Sequence, residues 1–179
     1  MTEFFDVLDE NGNKTGRTKA REYVHRDGDW HKAVHTWIVN DKNEILLQKR
    51  SPNKDSYPNM WDISSAGHLT AGDESLQGAI REIKEELGID TTPDQFKLIG
   101  TRKKAGKYNQ AFVNNEFNDV YLLRLSLDIS KLHLQEEEVS EVKYVHIDEF
   151  RDMIKNNDKT LLMHEDEFEM LFNALGYQL

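Results

Sequence analysis

Cysteine is absent from the 179-residue chain. That absence excludes disulfides, thiolate metal ligands and a cysteine nucleophile together. Proline is scarce, with only three, and no Pro/Gly/Ser-rich stretch divides the chain. A single domain over residues 1–179 is therefore expected. No apolar run approaches the roughly 20 residues that a membrane-spanning helix needs. The opening "MTEFFDVLDENG" lacks a basic region followed by an apolar core, so no secretory signal is expected and a cytoplasmic location is the default. Positive charge is also short: 23 Lys+Arg against 33 Asp+Glu leave a formal net charge of −10. Nucleic-acid polymers are usually met by a basic face, so neither they nor a membrane are expected partners. An acidic protein still binds anionic small molecules when divalent cations bridge the two.

The patterning that is present predicts a mixed α/β (α+β) domain. "EFFDVLDENGNKTG" reads as a strand and a hairpin turn at Asn11-Gly12. "TKAREYVHRDGDWH" reads as a short helix or turn running into a loop. "KAVHTWIVNDKNEILLQKR" reads as two strands separated by Asn40–Asn43. The first has apolar residues on both faces, as in a strand covered on both sides. A short strand is expected over Trp61–Ala66, and further strands near Phe96–Lys103, Ala111–Leu127 and Val142–His146. Helices are expected at Asp73–Leu87, Asp148–Asn156 and His164–Leu175. The last of these carries Phe168, Leu171, Phe172 and Leu175 on one face, for a core or a homodimer contact.

The most informative stretch is "GHLTAGDESLQGAIREIKEELGI", Gly67 to Ile89. At helical spacing Leu76, Ala79, Ile80, Ile83 and Leu87 share one face, and Glu82, Glu85 and Glu86 share another. Gly88 suits the left-handed position that ends a helix. A solvated acidic face is the plain alternative, since Glu forms helices well and Arg81 and Lys84 soften the repulsion. Two penalties count against it: acids toward a helix C-terminus oppose its dipole, and like charges four residues apart repel. Mg²⁺ or Mn²⁺ would relieve both, because hard cations prefer carboxylate oxygens.

The spacing resembles the Nudix box, G-x(5)-E-x(7)-R-E-U-x-E-E-x-G-U, with U aliphatic. Gly67 supplies its first glycine, and residues 81–89 match its second half at every specified position. Asp73 stands where the pattern has its first glutamate. The resemblance implies a Nudix fold, a mixed β-sheet sandwiched between α-helices, and hydrolysis of a diphosphate linkage with Mg²⁺ or Mn²⁺. It implies Glu82 and Glu86 as metal ligands, Glu85 as ligand or general base, Arg81 as the residue that orients a glutamate, and the Gly67 carbonyl as a further ligand. Asp73 is one methylene short, so it reaches a metal through water or instead caps the helix N-terminus.

A second resemblance covers roughly residues 4 to 150. "LLQKRSPNK", "YPNMWDISSAGH" and "LQEEEVSEVKYVHIDEF" are similar to type I isopentenyl-diphosphate isomerases, which share the Nudix fold. Those enzymes carry a catalytic cysteine just before the glycine-histidine pair, where this chain has Ala66. That departure, and the near-complete box, favour hydrolysis. His25, His31 and His68 match the isomerase metal histidines, while taken alone His25 reads as a surface residue in a polar loop. The acids next downstream are Glu116 and Asp119. Arg50 and Lys54 are candidate phosphate contacts, with the solvated ends of a strand as the alternative. Tyr57 and Trp61 are candidates for the substrate pocket, and Trp37 for the core. Glu137 or Glu138 is a candidate extra ligand. The expected activity is cleavage of a nucleoside di- or triphosphate, or a related diphosphate. Isomerase-like activity and a non-catalytic nucleotide-binding module are the alternatives.

Overall fold

The computed structural model describes residues 2–54, 56–107 and 112–179. The elements run β1 (Phe4–Leu8), β2 (Lys14–Ala20), α1 (Arg21–Asp27), β3 (Trp30–Val39), β4 (Glu44–Arg50), β5 (Trp61–Asp62), β6 (Ser65–His68), α2 (Ser75–Leu87), β7 (Phe96–Lys107), β8 (Val113–Arg124), β9 (Val139–His146), α3 (Ile147–Lys155) and α4 (Glu165–Leu175). All nine strands form one sheet. β3 is its hub: it pairs antiparallel with β1, β4 and β6 and parallel with β8, which in turn pairs with β7. β4 pairs with β9 along one edge, and along the other with β3 and then β5.

The two-sided apolar pattern of β3 explains the layering. Trp37 and Val39 face one way, into a core with Phe150 of α3 and Phe168, Leu171 and Phe172 of α4. Ile38 and Val34 face the other way, against Ile83, Leu87 and Ala79 of α2. The result is a mixed sheet sandwiched between helices, as expected. The hairpin forms at Gly12, whose φ of 85° suits a residue without a Cβ.

Three expectations change. The strand expected over Trp61–Ala66 is two pieces, because Ile63 and Ser64 leave β4 and the chain re-enters beside β3 at Ser65. The acidic helix begins at Ser75 with Glu74 as N-cap and no side-chain cap bond, so Asp73 does not cap it. The strand expected from Ala111 starts at Val113, and Ala111 itself lies outside the described residues.

Candidate active site

β6 runs antiparallel to β3 and delivers Gly67 and His68 to one end of α2. Gly67 approaches the helix so closely that a Cβ there would lie 2.0 Å from Glu82 Cδ. Only glycine leaves room for the Glu82 carboxylate against this strand. Glu86, one turn on, is buried and accepts the Ala66 backbone N–H at 3.1 Å. Glu85 lies on the exposed side of the same helix. Arg81 ties the group together: its guanidinium is 2.7 Å from Glu82 Oε1 and 3.2 Å from Glu85 Oε2, and it donates to the His68 carbonyl at 3.1 Å.

Burial lifts both inward carboxyls. Desolvation raises Glu82 to about 7, with the Glu85 charge adding and Arg81 opposing. It raises Glu86 to about 8, with Glu82 adding and the Ser65 and Ala66 hydrogen bonds opposing. A pair of buried acids that resists ionising is what a divalent cation would stabilise. Asp73 Oδ2 accepts from Thr70 N at 3.2 Å and from Thr70 Oγ1 at 2.7 Å, and lies 3.4 Å from Arg81. Its work is to hold the turn before α2 and to steady Arg81.

The histidines converge. His25 was expected at the surface, but it is buried, because α1 lays it between Phe5, His31 and His68. A metal-ligating nitrogen of each of His25, His31 and His68 lies within 4.8 Å of the others. His25 Nδ1 faces the Val113 carbonyl at 3.4 Å, and His31 Nδ1 faces the Asp29 carbonyl at 3.0 Å. Carbonyl partners place the proton on Nδ1 and leave the Nε2 lone pair, and neither buried Nε2 has a hydrogen-bond partner among the described residues. Burial pushes both rings down to about 4, so they are neutral at ordinary pH. Glu116 completes the group, with Oε1 at 3.0 Å from His68 Nε2. Burial works against its ionisation, but the His68 hydrogen bond and the neighbouring imidazoles hold its carboxyl well below the usual range. Asp119 is elsewhere, paired with Lys32 at 2.7 Å.

A second cluster was not anticipated from the sequence. His35, His164 and Glu167 could also be taken for a metal group. Here Arg102 fills the place of a cation, 3.0 Å from His164 Nδ1 and 2.9 Å from Glu167 Oε1. The network continues through His164 Nε2 to Asp62 at 2.8 Å, and from Asp62 to Arg50 at 3.1 Å. Its members are more than a hundred residues apart in places, so no local pattern announces it.

One cleft of about 460 Å³ is lined by members of each of these groups. Its lining includes Gly67, His68, Arg81, Glu82, Glu85, Glu86, Glu116, Arg50, Lys54, Tyr57, Glu137 and Lys104. Arg50 is committed to Asp62 and to the Ser56 carbonyl at 2.9 Å, and Lys54 pairs with Glu138. Glu137 stands exposed at the rim. Trp61 does not line the cleft: it packs in the core with Lys143 over its ring at 4.2 Å. A two-residue strand between β4 and the segment at Leu161 turns that indole inward.

Fold and cleft together define an α+β protein whose acidic helix forms one wall of a polar cleft. The chain belongs to the Nudix hydrolase family: residues 29–164 match the NUDIX domain model. It is 46% identical over 179 residues to Nudix hydrolase 3 of Arabidopsis thaliana, covering 97% of this chain but 23% of that relative's length. An uncharacterized Nudix hydrolase of Clostridium acetobutylicum is 39% identical over 157 residues, covering 86% of this chain and 75% of the relative. Similarity to the isopentenyl-diphosphate Delta-isomerase of Escherichia coli is lower, 29% over 144 residues, covering 80% of this chain and 77% of that one. A crystal structure from Deinococcus radiodurans shares the fold at a TM-score of 0.70 and 18% identity, covering 94% of this chain and 97% of that one.

Proposed function

We propose that the chain is a Mg²⁺- or Mn²⁺-dependent pyrophosphohydrolase acting on a nucleoside di- or triphosphate or another nucleoside-diphosphate derivative. The observation that carries this reading is the Gly67–Glu82 contact with Glu85 and Glu86 on the same helix, all aimed into one cleft. Glu82, Glu86 and the Gly67 carbonyl would hold the metal, with Glu85 or Glu137 as further oxygen donors. A bound divalent ion neutralises phosphate charge and lowers the pKa of its water. Arg81 keeps Glu82 and Glu85 in place. Glu85, exposed at the cleft and bonded on one oxygen only among the described residues, is positioned to take a proton from attacking water. Tyr57, Arg50 and Lys54 border the substrate space, while Trp61 supports it from behind.

His25, His31, His68 and Glu116 would form a second metal site, with His68 and Glu116 in the cleft lining and His25 and His31 buried beside them. Two orphaned, buried Nε2 lone pairs beside an ionised carboxylate fit a borderline cation. The reading extends to one Nudix domain over residues 1–179, in the cytoplasm, with homodimer formation as an outcome to test; the apolar face of α4 is taken up by the core. Isomerisation has this histidine group in its favour. Ala66 weighs against it, since a methyl side chain can neither give nor take a proton.

The deciding experiment is a panel of nucleoside diphosphate derivatives, nucleoside triphosphates and isopentenyl diphosphate with Mg²⁺ and Mn²⁺. Release of phosphate, pyrophosphate or a mononucleotide is expected. Dimethylallyl diphosphate as the sole product would establish the isomerase instead. Tight nucleotide binding with no turnover across the panel would establish a binding module.

A further inference from the structure

Five Lys and Arg side chains line the cleft: Arg21, Arg50, Lys54, Arg81 and Lys104. Four are already committed within the fold. Arg21 bonds Glu3 at 2.8 Å, Arg50 bonds Asp62, Lys54 bonds Glu138, and Arg81 is shared among Glu82, Glu85 and Asp73. Lys104 differs. It has no ion pair and no side-chain hydrogen bond to any described residue, although it is half-buried in the wall of an acid-rich cleft.

Its direction follows from register. Lys104 stands directly opposite Glu116 on the β7/β8 ladder, and Arg102 opposite Asn118. Directly opposed residues of an antiparallel pair project on the same face. Lys104 therefore points to the side on which Glu116 meets His68, across from the acidic helix. Arg102, two residues earlier on the same face, is matched by Glu167. The ladder thus carries one neutralised cation and one left open.

A lysine drawn out of water is normally paired, because its compact ammonium is strongly hydrated. An unpaired one beside a metal-type site is completed by an anion that arrives with the ligand. We propose that Lys104 is a substrate-binding residue that contacts a phosphate oxygen on the cleft wall opposite α2. It thereby supplies the cleft with a cation that no carboxylate of the described residues already holds. This rests on the diphosphate reading above, and the test keeps the two apart.

The test compares wild type with Lys104→Met, Lys104→Arg and Lys107→Met. Methionine keeps an unbranched apolar stem without the charge. Lys107 is an exposed residue of the same strand outside the cleft lining, so it controls for net charge. The probe is magnesium pyrophosphate, titrated calorimetrically, alongside steady-state kinetics on whichever compound of the panel is turned over. Lys104→Met is expected to weaken pyrophosphate about tenfold and to raise KM by a similar factor, with kcat nearly unchanged, as for a uniformly binding contact. Lys104→Arg keeps most of the affinity, and Lys107→Met matches wild type. Wild-type affinity in Lys104→Met, an equal loss in Lys107→Met, or no pyrophosphate binding by wild type would overturn the proposal. Lys104-dependent binding without any turnover would support Lys104 and count against the hydrolase reading.

Discussion

An added Cβ at Gly67 would meet the end of the Glu82 side chain rather than backbone, with Cδ at 2.0 Å. A flexible carboxylate can swing aside, so Gly67→Ala is expected to fold near normally while losing metal affinity and turnover together. A melt combined with Mg²⁺ titration checks this: large destabilisation with unchanged metal affinity would refute it. Glu85 is half-exposed and, among the described residues, bonded only to Arg81, so Glu85→Gln should leave stability within about 0.5 kcal/mol. Its turnover should fall by about 10² to 10⁴, the usual worth of a positioned base. Asp73 acts one contact further out, through Thr70 and Arg81. Asp73→Asn keeps an oxygen for those donors and should cost under about tenfold by the same scale. Equal losses in the two variants would place Asp73 at the metal after all. The box spacing names Asp73, Glu82, Glu85 and Glu86 from the sequence. Which of them faces inward depends on β6, which no spacing within the helix reveals.

At the scale of elements, α4 does more than complete the core. Through Glu167 it anchors Arg102 of β7, His35 of β3 and the His164 that precedes it. Burial alone would raise the Glu167 carboxyl, but the His35 charge and hydrogen bond, with His164 and Arg102, hold it down at about 2. Its folded value lies below its unfolded one. The stabilisation is therefore complete above the ordinary glutamate value of 4.5 and is lost as pH falls from there toward 2. Glu167→Gln should flatten the fall of the urea midpoint over that window, and an unchanged slope would refute the assignment. Glu167→Ala leaves the buried Arg102 only the exposed Asp166, 3.6 Å away, as a carboxylate partner among the described residues, and should cost about 3 kcal/mol. The helix itself was legible from Phe168, Leu171 and Phe172 at helical spacing. Glu167 was not, because its partners at positions 35 and 102 lie on distant strands.

For the molecule as a whole, the proposed metal site would couple metal binding to pH. Glu82 and Glu86 have folded values raised to about 7 and about 8 from 4.5. In metal-free protein the stability they contribute is present below 4.5 and is lost as pH rises through 7 to 8, since the unfolded chain ionises first. A cation bound to the ionised pair reverses that loss. Saturating Mg²⁺ should therefore raise Tm more at pH 8 than at pH 5.5. An equal shift at both values would mean that the ion binds elsewhere.

The sequence by itself determined the family, the mixed sheet with its helices, and the residues of the acidic helix. Each of these is written in local spacing: alternation in β3, a 3.6-residue period in α2, and glycines where the backbone must turn or approach closely. Tertiary structure alone decided that His25 is buried with His31, His68 and Glu116, that Trp61 supports the cleft from the core, and that Lys104 stands unpaired across from α2. Burial and charge compensation are properties of strands brought together from distant parts of the chain. A residue's neighbours in sequence carry no record of them.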